Sequence, residues 1–432
     1  MKLIKRLIPV GLIFALLLSC SVNVYAKPSW PNAPGITSDG GILMDASTGA
    51  ILYQKNVDTQ MYPASISKIM TILLVLENLK MDEVVTFSRD AVYSIEFGSN
   101  HIGCTVGEEL TVEQCLYGIC LNSANEVCNA VGEKIAGSID GFVELMNKRA
   151  KELGCKNTHF ANPNGLHDKE HYSSARDLAI ITKECLKYDA FRKIAGTNRY
   201  DIPPTNNTAE TRYLLNDHKM FKGRKQEYEG FECGKTGFTD QALNTLISVA
   251  KRGDVELICV TLHGNLTHYT DTATLFDYGF ANYSSKSIGE LDSNLSGDYY
   301  VKNESTFQDF VKDATEYSFT YDKDAKLLMP KGASFSDYEI RFGDATIKDN
   351  ELAGNLEYYY DNELMGNLPV KITKKLNLVS GVKQFSQNNS LLFNILKGIV
   401  IIIIILVVLY ILLLIYAKRR RRKRRQQRRR RR

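Results

Sequence analysis

Histidine is scarce and scattered in this 432-residue chain, with seven residues at positions 101, 159, 167, 171, 218, 263 and 268. None sits in a context that would pair with a catalytic thiol, and no metal is called for. One grouping, His167-Asp168-Lys169-Glu170-His171, has the H-x-x-E-H order of an inverted zinc-protease motif. It follows the turn Asn162-Pro163-Asn164-Gly165 and lacks an apolar face, so it reads as a surface loop. Zinc-like spacing is also missing from Cys104, Cys115, Cys120, Cys128, Cys155, Cys185, Cys233 and Cys259. Most of these lie among apolar helical residues, where a free thiol behaves as a small hydrophobe; few or no disulfides and a reduced setting are expected.

Charge is absent from residues 398–417, a run long enough to cross a hydrocarbon core as a helix. Thirteen of the fifteen residues at 418–432 are Lys or Arg. This order predicts a C-terminal transmembrane helix with a basic cytoplasmic tail, the rest of the mature chain lying outside the cell. Its position makes the tail a stop-transfer and anionic-lipid contact, and no nucleic acid partner is expected. Residues 1–26 combine Lys2, Lys5 and Arg6, an apolar run and Val24-Tyr25-Ala26, which reads as a signal peptide cut before Lys27. A lipoprotein reading of Leu17-Leu18-Ser19-Cys20 fits less well because of the branched Leu18. Setting aside thirteen basic residues in the tail and three in the leader leaves 38 of the 54 Lys and Arg against 49 Asp and Glu. The exported part is therefore acidic, at about −11, although the whole chain carries +5.

What the chain does contain is three short motifs in one order: Ser65-Ile66-Ser67-Lys68, Ser123-Ala124-Asn125 and Lys235-Thr236-Gly237. Tyr62-Pro63-Ala64 reads as a turn, and Ile66, Ile69, Met70, Leu73, Leu74 and Leu76 follow at helical spacing. Ser65 and Lys68 then stand one turn apart on one face, where the amine can take the hydroxyl's proton without any histidine. A helix N-terminus at Ser65 also favours the negative charge of a tetrahedral intermediate. The second Ser-x-x-Lys, Ser248 to Lys251, follows an alternating run that reads as a strand. Residues three apart on a strand point to opposite faces, so this pair is a decoy.

Around the motifs, residues 42–44 and 50–53 flank Asp45-Ala46-Ser47-Thr48-Gly49 as a hairpin, and 111–188 is mainly helical. Strands at 244–250 and 255–262 are joined by Lys251-Arg252-Gly253-Asp254, and 270–278 is helical. This pattern predicts an α/β (α+β) domain, a sheet flanked by helices with an all-helical insertion, over residues 27–285. Alternating runs at 299–301, 317–321, 338–342, 356–360 and 368–372 predict a small all-β domain at 290–380 with no catalytic constellation, acting as a spacer or platform. Residues 381–397 then link to the membrane helix.

These motifs, with Asn162-Pro163-Asn164-Gly165-Leu166 and His171-Tyr172-Ser173-Ser174-Ala175-Arg176-Asp177, resemble the low-molecular-weight penicillin-binding proteins that act as D-alanyl-D-alanine carboxypeptidases. The resemblance covers nearly the whole exported part, and implies the serine β-lactamase/transpeptidase-like fold. It implies that Ser65 is acylated by the penultimate D-alanine of a peptidoglycan stem pentapeptide, with Lys68 as base, no cofactor, and β-lactams as covalent inhibitors. Ser123 would pass a proton to the leaving amine and Asn125 would hold the peptide. Lys235, Thr236 and Gly237 would form an edge strand beside the substrate, Lys235 supplying positive potential and Thr236 binding the terminal carboxylate. The N–H groups of Ser65 and Phe238 would form the oxyanion hole. Two departures stand out: Phe238 occupies a position where some relatives carry histidine, and residues 263–270 lack the arginine expected near the carboxylate. Two alternatives are weighed against this reading. A β-lactamase would need a deacylating glutamate and asparagine, which residues 160–172 lack in recognisable context; a non-catalytic wall-binding scaffold would not need the intact Ser65, Lys68, Ser123 and Lys235.

Overall fold

A computed structural model of the chain describes residues 27–291, 305–376 and 390–429. The signal peptide at 1–26, the strand expected at 299–301 and most of the linker lie outside the described residues. The expected hairpin forms as β1 (Gly40–Asp45) and β2 (Ile51–Lys55), paired antiparallel. A single 3-10 turn, Ala64–Ser67, runs directly into helix α1 (Lys68–Asn78). There follow β3 (Val84–Thr86), the short α2 (Arg89–Tyr93) and β4 (Glu109–Thr111), which pairs with β3. The helical insertion comprises α3 (Val112–Asn122), α4 (Asn125–Ala136), α5 (Ile139–Glu152), α6 (Ala175–Cys185) and α7 (Asp189–Ala195). A small hairpin, β5 (Arg199–Ile202) with β6 (Arg212–Leu215), leads to β7 (Phe231–Thr239), β8 (Leu243–Arg252), β9 (Val255–Gly264) and α8 (His268–Asn282).

The main sheet has the order β2-β1-β9-β8-β7, so first and last strands of the domain meet in the middle and β7 is left as an edge. All six residues of β1 are buried, as a strand covered on both faces requires. Helix α6 packs on β1 and β9, and α8 packs on β8 and β9. One apolar core joins the sheet to the helical insertion, running from Ile42 and Ile258 through Leu73 to Leu116, Val127 and Phe142. The α/β sheet with its helical insertion agrees with the sequence pattern.

After α8 come β10 (Tyr283–Ser287), a one-turn α9 (Ile288–Leu291), α10 (Ser305–Val311), β11 (Ala314–Tyr321), β12 (Lys326–Pro330), β13 (Glu339–Lys348), β14 (Glu351–Tyr360) and β15 (Glu363–Leu376). Most of this is strand, as alternation predicted, but α10 is a helix that alternation did not announce. Strand β12 pairs with β10, and a four-stranded sheet has the order β11-β15-β14-β13. The chain divides into two compact units: residues 1–294 with 322–343 and 355–368, and residues 295–321 with 344–354 and 369–432. In the second unit β11 pairs antiparallel with β15, and Lys374 ties the end of α10 by donating to Phe310 O (2.8 Å) and Asp313 Oδ1 (2.9 Å). Helix α11 (Ser390–Arg429) starts eight residues before the uncharged run, and its stretch Lys397–Lys418 is long and apolar enough to cross a membrane.

Candidate active site

The turn that carries Ser65 is strained and then held in place. Ala64 has φ of 51°, in the left-handed region that costs a non-glycine residue on the order of 1–3 kcal/mol. Ser67 Oγ donates to Ala64 O (2.8 Å), and the ring of His171 lies 2.7 Å from the same Oγ through Nε2. Because Ala161 N–H donates to His171 Nδ1 (3.1 Å), the ring proton is assigned to Nε2, which donates to Ser67. Burial drives the His171 pKa down to about 3, so this strut stays neutral. From the other side, Thr245 Oγ1 donates to Pro63 O (2.8 Å).

Lys68 opens α1 and is fully buried. Its Nζ lies 2.9 Å from Ser65 Oγ and 2.5 Å from Asn164 O, the carbonyl of the Asn-Gly turn. The same loop accepts from Thr71 Oγ1 through Pro163 O (2.5 Å). Burial lowers the Lys68 pKa from 10.5 to about 7; the charge of Lys235 pushes the same way, while Cys128 and Glu126 oppose it. An amine that loses its charge near neutrality, one hydrogen bond from a hydroxyl, can act as that hydroxyl's base.

Ser123 and Asn125 sit where α3 ends and α4 begins. Helix α3 opens on a reciprocal capping box between Thr111 and Gln114 and closes with Ser123 in the left-handed conformation (φ 58°). The one-residue gap to Asn125 points both side chains into the same space, and both residues are 2 % exposed. Neither Ser123 Oγ nor Asn125 Oδ1 has a hydrogen-bond partner among the described residues. Buried polar atoms are rarely left that way in a purely structural position.

Lys235, Thr236, Gly237 and Phe238 lie on β7, the sheet edge expected for them. A Cβ on Gly237 would lie 2.4 Å from Thr245 Oγ1 and 3.0 Å from both Ser65 N and Ile66 N. The strand therefore passes hard against the Ser65 amide, and only glycine permits it. Lys235 is 3 % exposed, its Nζ donating to Thr236 O (2.9 Å). Burial lowers its pKa, and Asp217 opposes that shift. Phe238 is exposed.

Ser65, Ser123, Asn125, Thr236, Gly237 and Phe238 all line one cleft of about 720 Å³. Lys68 and Lys235 are buried, Lys68 in contact with the lining Ser65 and Lys235 with the lining Thr236. The eight sequence-predicted residues thus converge, and the decoy does not join them: Ser248 is buried in β8 against His218 Nε2 (3.0 Å), while Lys251 is exposed. All eight cysteines from 104 to 259 are free, and burial pushes the pKa of Cys120 and Cys128, the two nearest the motif lysines, up to about 12. The His167–His171 stretch is a loop, as read, and no group of metal-holding side chains occurs among the described residues. It is not all surface, however. His171 is 2 % exposed and turned inward, because its two ring nitrogens satisfy Ser67 and Ala161. Sequence reading missed this strut and the Asn164 carbonyl.

Residues 27–265 match a family model described as D-alanyl-D-alanine carboxypeptidase. The D-alanyl-D-alanine carboxypeptidase DacF of Bacillus subtilis is 33 % identical over 366 residues, which is 82 % of this chain and 90 % of its own length. DacA of Escherichia coli K12 is 26 % identical over 81 % of this chain and 86 % of its own. Among solved structures, the DD-transpeptidase of Streptomyces K15 superposes with a TM-score of 0.54 at 30 % identity, covering 58 % of this chain and all of that one.

Proposed function

The chain belongs to the D-alanyl-D-alanine carboxypeptidase family, and on that premise we propose how its cleft performs the family's reaction. The protein is a serine-type D-Ala-D-Ala carboxypeptidase, a hydrolase that removes a terminal D-alanine through an acyl-enzyme. Its substrate is the peptidoglycan stem peptide, and β-lactams inhibit it by acylating the same serine. Neutral Lys68 accepts the Ser65 proton as Oγ attacks the penultimate D-alanine carbonyl. The tetrahedral oxyanion is met by the N–H groups of Ser65 and Phe238, which the glycine at 237 allows to approach each other. On collapse the C–N bond breaks, Ser123 relays a proton to the departing amine, and D-alanine leaves. Water then cleaves the ester with Lys68 again as base. Asn125 holds the peptide backbone; Thr236 takes the terminal carboxylate, with Lys235 contributing potential from below. No cofactor enters any step.

One observation carries this reading: a fully buried lysine with its pKa near 7 stands 2.9 Å from Ser65 Oγ. The uncharged stretch within α11 and the basic residues after it support a membrane anchor with the cleft outside the cell and the tail in the cytoplasm. Residues 290–380, whose described part is mostly strand, would serve as a spacer or platform.

Intact-mass measurement after benzylpenicillin, together with D-alanine release from a peptide ending in D-Ala-D-Ala, tests the assignment. A single long-lived adduct and free D-alanine are expected from the native chain, and neither from Ser65→Ala. Rapid penicillin turnover without D-alanine release would indicate a β-lactamase instead; normal labelling of Ser65→Ala would remove Ser65 from the mechanism.

A further inference from the structure

We propose that Lys219 reads the C-terminal carboxylate of the leaving residue and so sets the preference for an exopeptidase substrate; this rests on the carboxypeptidase reading above. A substrate that ends in a carboxylate must meet a positive charge it can reach. Lys68 and Lys235 are 0 % and 3 % exposed, with their Nζ atoms already engaged by Ser65, Asn164 and the Thr236 carbonyl. Neither lines the cleft. Lys219 is the single Lys or Arg among the lining residues, which also include the carboxylates of Glu96, Asp217 and Asp240. Among the charged side chains that line the cleft, an incoming anion therefore meets three of like sign and one of opposite sign.

The backbone at that place is fixed. Lys219 N–H donates to the hydroxyl of Tyr269, a buried residue in the first turn of α8 (3.0 Å). Beside it, the His218 ring is stacked on Phe231, bonded to Ser248 Oγ (3.0 Å) and accepts from Met220 N–H (3.3 Å). That ring lies against Gly234, where a Cβ would come within 2.8 Å of Nε2, so Lys219 is anchored next to the start of the Lys235-Thr236-Gly237 segment. Only the side chain of Lys219 is left free: among the described residues its ammonium makes no hydrogen bond or ion pair. Its charge is felt by two other lining groups: burial raises the Asp217 pKa, and Lys219 opposes that shift after the larger effects of Lys235 and Arg224, while at His268 it adds to the burial that brings the pKa down to about 4. His268 is thus neutral in the working range and does not supply the missing charge. No arginine occurs in residues 263–270 either.

The test compares an N-acylated tripeptide ending in D-Ala-D-Ala as the free acid and as the C-terminal amide, using the full-length enzyme, Lys219→Gln and Lys219→Arg. The ratio of kcat/KM for acid over amide should fall about tenfold or more in Lys219→Gln, as expected for loss of a charge-assisted contact, and be largely kept in Lys219→Arg. Added salt should slow acid turnover by the native enzyme more than by Lys219→Gln. A circular-dichroism melting transition like that of the native enzyme reports that each variant is folded. An unchanged acid-to-amide ratio in Lys219→Gln, with the native enzyme releasing D-alanine, overturns the role of Lys219 alone. Absence of D-alanine release by the native enzyme overturns the carboxypeptidase reading and this inference with it.

Discussion

With Lys68 as the proposed base, the acylation rate should titrate with a midpoint near pH 7, because only its neutral form can accept the Ser65 proton. A lysine with its ordinary pKa of 10.5 would be neutral in only about three molecules per ten thousand at pH 7. With the pKa lowered to about 7, half are neutral, a gain of roughly three powers of ten in competent enzyme. The sign follows from the cause: burial disfavours the ammonium, so activity is lost as pH falls through 7 and reaches a plateau above it. About a tenth of the plateau should remain at pH 6 and about nine-tenths be reached at pH 8. The assay is the second-order rate of adduct formation with a fluorescent penicillin, by stopped flow, between pH 5 and 10. Glu126→Gln tests the electrostatics independently. Its carboxylate holds the Lys68 pKa up, and the amide oxygen can still accept from Ile102 N, so the midpoint should move to lower pH. A rate that is flat from pH 5.5 to 8.5, or still climbing at pH 10, would refute Lys68 as the base.

Gly237→Ala should lower acylation by about ten- to a hundredfold, since its Cβ would press on Thr245 Oγ1, on the Ile66 amide and on the Ser65 amide proposed to meet the oxyanion; adduct formation within twofold of native would show that β7 does not shape the oxyanion site. His171→Leu removes the donor to Ser67 and the acceptor for Ala161, leaving the Ala161 N–H without its partner and Ser67 Oγ with only Ala64 O, which should cost on the order of 1–3 kcal/mol of stability and slow acylation. Because Lys68 is untouched, the pH midpoint should stay near 7. A shifted midpoint, or a native rate with a relaxed turn, would mean that His171 does not act by holding Ala64.

The closeness of Ser65 to Lys68 and the edge strand were legible because each depends on local periodicity. A three-residue spacing on a helix brings Ser65 to Lys68, while the same spacing on a strand separates Ser248 from Lys251, and the surrounding apolar pattern tells the two apart. The hairpin, helical insertion and late strands were legible for the same reason. Features that depend on long-range contact were not. Asn164 acts through a backbone carbonyl, which no side-chain pattern can reveal. His171 sits in a polar stretch that reads as surface, and is drawn inward only because Ser67, 104 residues earlier, needs a partner. Lys219 belongs to no motif, and its place on the cleft wall follows from the pairing of β7 with β8 and the seat that Tyr269 gives its backbone. Strand β12 carries Leu327, Leu328 and Met329 as a continuous buried run, without the alternation that marked its neighbours.

The site concentrates arrangements that a fold would otherwise avoid: a left-handed alanine before the nucleophile, two buried lysines, and unpaired oxygens on Ser123 and Asn125. Lowering the Lys68 pKa by about 3.5 units corresponds to about 5 kcal/mol against the charged form. Below pH 7 both folded and unfolded chains carry that proton, and the folded state bears the full cost. Between pH 7 and 10.5 the unfolded chain still binds a proton that the folded chain has released, so this group's penalty fades as pH rises. Something must over-determine the geometry for the site to persist. The loop from Thr158 to Ser173 does so: it meets Ser67 through His171, Lys68 through Asn164 and Thr71 through Pro163. It is itself pinned by Asp177, which accepts from Thr158 Oγ1 and Asn157 N–H, and by Asn147, which accepts from Phe160 N–H. Three positions in the first two turns around α1 are thus braced by one loop rooted in two helices, α5 and α6. The buried charge that makes Lys68 a base near neutrality is tolerated because its neighbours on both sides are held by neutral hydrogen bonds that do not titrate with it.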